Sequence, residues 1–160
     1  MGNVSMRNTI QITGLFLAIT TSIVWAKDFR DVNWGDSYLT VLSAEPGAKG
    51  NGIDSLSLQT NIGDFPAILG YTFVDDRLVQ AMYICSQCEP VLNELEKKYG
   101  QPARSGNYGR TRTASWDTDK SSITAGIDSS KMVILYISSE FSHLLAKKKE
   151  LDSAKIQKDL

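Results

Sequence analysis

Apolar and polar positions change rhythm several times along the chain, and each change predicts an element. Tyr38, Leu39, Val41 and Leu42 recur at helical spacing behind Asp36-Ser37, a capping pair, and Pro46 stops the run. Gly47 to Gly52 has no apolar period and reads as a loop. Three strand-like runs follow. Ser55 to Ile62 alternates with Leu56, Leu58, Thr60 and Ile62 on one side; Ala67 to Val74 carries Ile68, Leu69, Tyr71 and Phe73; Arg77 to Ile84 returns across an Asp75-Asp76 hairpin turn. From Glu89 to Tyr99 the period lengthens again, with Val91, Leu92, Leu95 and Tyr99 as a stripe that Gly100 and Pro102 end. Ala103 to Gly109 reads as a second loop. Arg112 to Thr118, Ser121 to Ile127 and Lys131 to Ser138 are three further strands, with turns at Asp119-Lys120 and Asp128-Ser129-Ser130. The last of them, Met132 to Ile137, is continuously apolar, which predicts a central place in the sheet. A final helix is expected from Ser139 to Lys158, with a partial stripe through Phe141, Leu144, Leu145, Leu151 and Ile156.

The predicted order is α-βββ-α-βββ-α. That is an α+β fold with an antiparallel sheet of about six strands and helices packed on one face. The two helix-plus-three-strand halves suggest an internal duplication, although their residues do not match position by position.

Ahead of these elements lies a run of a different kind. Residues 1–8 are polar with a single positive charge, Arg7; residues 10–24 are mostly apolar; Val24-Trp25-Ala26 offers suitable residues for signal peptidase, and Lys27-Asp28 opens a polar stretch. This is the order of a secretory signal peptide. Thr13, Thr20, Thr21 and Ser22 dilute the run below what a membrane anchor requires. The expected organisation is a signal peptide over residues 1–26 and one α+β domain over residues 27–160, secreted or periplasmic, with no transmembrane segment after cleavage.

Several stretches of this layout carry a resemblance. Trp34-Gly35-Asp36-Ser37 opens a short helix, Tyr71-Thr72-Phe73 leads into Asp75-Asp76-Arg77-Leu78, and Leu95 to Pro102 closes the next helix. Trp116 sits in the following strand, and Leu135-Tyr136-Ile137-Ser138 ends the sheet. Over residues 30–138 the chain resembles a loose group of small exported bacterial proteins. Their folds are similar to β-lactamase-inhibitor-protein-like or outer-membrane-assembly-lipoprotein-like layers. The resemblance implies a fold and no catalytic residue. The lipidated cysteine of the lipoprotein members is absent.

Composition narrows the chemistry. In 160 residues there are 17 Lys+Arg, 18 Asp+Glu, one His and two Cys. A net charge near zero argues against nucleic acid as a partner. Cys85-Ser86-Gln87-Cys88 is the sharpest motif, placed between a strand and a helix. A redox pair there needs a thiolate at the helix N-terminus. Ser86-Gln87-Cys88-Glu89 fits a capping box that would place Cys85 just outside the helix, whereas Pro90 as first helical residue would make Glu89 the cap and leave Cys85 remote. A structural disulfide, free thiols, and a redox or metal function all remain open, with the disulfide favoured outside the cytoplasm. The single histidine, His143, has no partner placed by sequence, and no Gly-x-Ser-x-Gly or Walker pattern occurs. Asp75-Asp76 and Asp117/Asp119 fall at turns. Arg104, Arg110 and Arg112, with Tyr108 among them, form the most basic stretch and a candidate contact for an anionic partner. The lysines at 147, 148, 149, 155 and 158 read as a solvated helix face.

No catalytic set, cofactor motif or metal set is assembled. The expected function is a non-enzymatic exported binding protein for an unspecified protein or envelope component. The alternative is a periplasmic thiol-disulfide protein using Cys85 and Cys88.

Overall fold

A computed structural model describes residues 27–50 and 52–158; the expected signal peptide, residues 1–26, lies outside the described residues. The elements are α1 (Tyr38–Ala44), β1 (Lys49–Gly50), β2 (Ser55–Ile62), β3 (Phe65–Val74), β4 (Arg77–Ser86), α2 (Pro90–Tyr99), β5 (Arg104–Tyr108), β6 (Thr111–Asp117), β7 (Ser121–Ile127), β8 (Lys131–Ser138) and α3 (Ser142–Lys158). They build one antiparallel sheet of eight strands in the order β1-β2-β3-β4-β8-β7-β6-β5.

The α+β class holds, but the expected six strands become eight and the order becomes α-ββββ-α-ββββ-α. Both additions are the sheet's outermost strands, and both occupy stretches that read as loops. Every residue of β1 and β5 is exposed. An edge strand that buries neither face needs no apolar alternation, so hydrophobic pattern cannot reveal it.

Each half is thus a helix followed by a four-strand meander, and the last strands of the two meanders, β4 and β8, pair in the middle. Local chemistry sets the element ends. The Ser37 hydroxyl accepts from the Thr40 amide at 3.2 Å and caps α1. Asp75 and Asp76 form the β3–β4 turn with φ of 51° and 58°, the left-handed pair a tight hairpin requires. Asp76 Oδ1 then accepts from the Tyr38 amide at 2.9 Å, tying that turn to α1. Pro90 takes the first position of α2, and the Glu89 side chain at the cap makes no hydrogen bond to the helix backbone, so proline, not a capping box, fixes where this helix starts.

Strand alternation sorts side chains onto two faces. Leu58, Leu69, Tyr83, Ile134, Ala125 and Ala114 lie across from one another on the inner face, all buried. Val41 of α1 and Val91 and Leu95 of α2 join that same core. The segment before α1 fills its centre. The Phe29 ring lies 4.9 Å from Tyr136, 5.8 Å from Tyr83, 6.0 Å from Tyr71 and 5.9 Å from Trp34, centroid to centroid. Aromatic pairs at such spacings and tilts add to the burial gain.

A register slip between Thr72 and Phe73 leaves Val79 as an extra residue in β4. Beside it, the Gly35 amide donates to Leu78 O and the Leu78 amide donates to Asp36 O, at 2.9 Å each. Gly35 has φ of +85°, and a Cβ there would stand 2.8 Å from the Phe141 ring, so both backbone and space demand glycine. The third helix packs against β3 and β4 at this hairpin end. Its Leu145 is buried, as is Val79, and both stand apart from the main core. The helices therefore do not all share one core: α1 and α2 do, and α3 seals a corner of its own. No helix among the described residues is long and apolar enough to cross a membrane.

Candidate functional site

The inner face holds the most concentrated polar chemistry. Glu45 ends α1 and is only 2% exposed. Its carboxylate accepts from Tyr71 Oη at 2.5 Å and from Arg30 Nε and Nη2 at 2.9 and 3.2 Å. Arg30 Nη1 reaches the Tyr83 hydroxyl and Thr60 Oγ1, each at 3.3 Å. Holding Arg30 there uses a left-handed backbone, φ 50°. Burial, and then the bond to Glu45, pushes the Tyr71 hydroxyl far above the ordinary phenol range. Burial, then Tyr99, does the same to Tyr136. Burial alone would lower the Arg30 guanidinium, but Tyr83 and Glu45 outweigh it and raise its pKa. These groups are locked in their resting protonation states. The network braces α1 and the N-terminal segment against the sheet.

The outer face is different. At its centre, Ile68 lies across from Ile84, and Ile84 from Val133; beside them Met82 lies across from Leu135. Ile68 is 51% and Val133 37% exposed, and the others are half-buried. The flanking strands present small uncharged polar residues on this face: Ser57 and Gln59 on one side, Thr124, Ser122 and Ser115 on the other. At one end the surface dips into an open groove of about 1270 Å³ between Ile68, Ile84, Asn61 and Lys131. An apolar centre with a polar rim is what protein interfaces present, and their cores are depleted in charge. The continuous run Met132 to Ile137 read as central, which it is. Its outward members Val133, Leu135 and Ile137 are nonetheless not covered as a fully buried strand's would be.

The residues singled out by sequence are distributed as follows. Cys85 and Cys88 form a disulfide with Cα atoms 6.1 Å apart. It bridges the end of β4 to the residue before the cap of α2, across a turn in which Gln87 has φ 53°. Both half-cystines belong to the core, at 3% and 1% exposure. Cys85 nonetheless lines the groove beside Ile68 and Lys131, and Cys88 lines a smaller depression beside Ile127 and Met132.

Arg104, Arg110 and Arg112 do not converge. Arg104 projects from the outer face and pairs with Asp117 at 3.1 Å; Arg112 projects from the inner face and pairs with Glu89 at 3.0 Å; Arg110 sits in the turn between β5 and β6. The alternation of a strand separates what sequence proximity suggested was one patch. His143 is exposed, with Nδ1 3.1 Å from Glu140 O. No group of metal-ligating side chains is assembled among the described residues. Asp75 and Asp76 form a turn, as expected, and Asp117 is held by Arg104. Lys148 pairs with Asp54, so one member of the lysine-rich run fastens α3 to the strand end.

Compared with family models, curated proteins and solved structures, the chain finds no significant match.

Proposed function

We propose that this is an exported, non-enzymatic binding protein of the bacterial envelope, and that its outer sheet face docks a partner protein. The observation that carries the reading is the apolar cluster of Ile68, Met82, Ile84, Val133 and Leu135, open to solvent between serine, threonine and glutamine residues of the flanking strands. The charges on this face stand away from its apolar centre, with Arg104 paired to Asp117 and Lys131 at the groove, so the centre selects a partner surface that is itself apolar, since an unpaired charge buried there would be costly. Export is supported by the apolar run of residues 10–24 and by a disulfide, which persists outside the reducing cytoplasm. The similarity in layout to β-lactamase-inhibitor-protein-like and outer-membrane-assembly-lipoprotein-like folds belongs to the same proposal.

Site-specific photocrosslinking in envelope preparations tests it. A crosslinker at Val133 or Ile68 is expected to trap one defined protein, and one at Lys97, on the exposed side of α2, is expected not to. Ile68→Asp should abolish the adduct while leaving the fold intact by circular dichroism. Equal labelling from both sides of the molecule would overturn the reading.

A further inference from the structure

The two edges of the sheet are not alike. On one side β1 is only two residues long and lies close under the Tyr38 hydroxyl. On the other, β5 presents five consecutive exposed residues, Arg104-Ser105-Gly106-Asn107-Tyr108, with no proline and no bulge in its pairing to β6. Natural sheets usually blunt such an edge.

The turn next to β5 tells which of its backbone groups are free. Tyr108 and Thr111 flank a two-residue turn, Gly109-Arg110, in which Gly109 has φ 61° and Arg110 is not left-handed. In such a hairpin the flanking pair exchanges hydrogen bonds, so Tyr108, Gly106 and Arg104 bond toward β6. Ser105 and Asn107 then turn their N–H and C=O groups outward, to the open edge.

We infer that this edge pairs antiparallel with β5 of a second copy of the chain, in the register that sets Gly106 across from Gly106 on a twofold axis. In this register the outward groups of Ser105 meet those of the partner's Asn107, and the reverse, so every free group finds its complement. Arg104 comes to lie across from the partner's Tyr108 on the outer face, twice over. A guanidinium over a phenol ring is a favourable cation–π pair. It also accounts for an aromatic side chain 87% exposed on a bare edge. Glycine at the axis lets the two backbones meet without side chains between them, and nothing lies within 4 Å of a Cβ built there. The twofold is perpendicular to the sheet. It joins two eight-stranded sheets edge to edge and keeps both outer faces on the same side.

Sedimentation of the purified protein across a concentration series is expected to show a monomer–dimer equilibrium. Ser105→Pro removes only an outward N–H, a position where an edge strand tolerates proline, and should weaken dimerisation by about tenfold or more. Tyr108→Lys, which sets like charges together, should weaken it as well. Gly106→Cys tests the register independently of any loss of folding. Across the axis, Cα atoms of a non-hydrogen-bonded pair lie about 4.5 Å apart, inside the disulfide range of about 4.4–6.8 Å. Mild oxidation should give a covalent dimer. Ser105→Cys places its thiols diagonally, at about 7–8 Å between Cα atoms, and should crosslink poorly. A protein that stays monomeric to millimolar concentration, or one in which the two cysteine variants crosslink alike, would overturn the inference.

Discussion

Along β4, Ala81, Tyr83 and Cys85 face a closed core while Met82 and Ile84, one residue removed, face outward from the other side of the same strand. The two faces are similar in local hydrophobicity and differ in what covers them. Inside, the segment around Phe29, the helices α1 and α2, and the Arg30–Glu45–Tyr71 network close over the strands. Outside, α3 seals only the hairpin end near Val79, and the remaining apolar centre meets solvent. Stability should therefore reside in the inner face, and the proposed recognition in the outer one.

The sharpest way to break this division is to damage the inner polar network. Glu45→Ala leaves the Tyr71 hydroxyl and Arg30 without their acceptor, and should destabilise the fold by about 3–5 kcal/mol in urea unfolding. A pair of neighbouring substitutions sharpens the contrast. Ile134→Ala, on the inner face at 0% exposure, should cost about 2–5 kcal/mol, whereas Val133→Ala should cost less than about 1 kcal/mol. Equal losses would mean that the outer face is covered in the native protein.

The disulfide comes next. Replacing Cys85 and Cys88 together with serine should cost about 2 kcal/mol by the chain-entropy model, because the closed loop is so short. Full resistance of the native bond to glutathione, with rapid reduction after unfolding, would separate a structural bond from a redox-active one.

The smallest effect is alkaline. The ordinary phenol pKa is about 10, and the folded value of Tyr71 lies above it. Below the ordinary value both states hold the proton, so pH has no effect through this group. Above it the unfolded chain releases the proton first. The unfolded state then binds fewer protons than the folded one, and stability falls as pH rises, by up to about 1.4 kcal/mol per pH unit for each such tyrosine. Tyr71→Phe should flatten that decline.

Much of the fold was legible in the sequence because it depends on local chemistry. The Asp75-Asp76 turn, the stop at Pro46, and the strand-like runs that became β2, β3, β4, β6, β7 and β8 each follow from a few adjacent residues, whereas the start of α2 stayed open between a capping box and Pro90 until the fold placed it. The edges β1 and β5 were not legible, because an exposed strand carries no hydrophobic signature. Nor was the inner network: nothing in the spacing of Arg30, Glu45 and Tyr71 announces that the fold will bring them together. The Arg104–Arg112 stretch shows the converse error. Residues adjacent in sequence were separated by the pleat and held by different acids.

The pairing of β4 with β8 also sets the order in which this molecule is made. Every other neighbour in the sheet is a neighbour in sequence, so each meander closes through short loops as soon as it exists. The seam between them must wait for Lys131–Ser138. A chain emerging from its N-terminus thus carries an assembled first meander whose last strand, β4, has one ladder unpaired until β8 arrives. That closure spans the intervening second half and is the most non-local pairing in the sheet, the kind that forms slowly. During this interval β4 of one molecule is as available to β8 of another as to its own, so a strand-exchanged dimer is the misfolded form this topology invites.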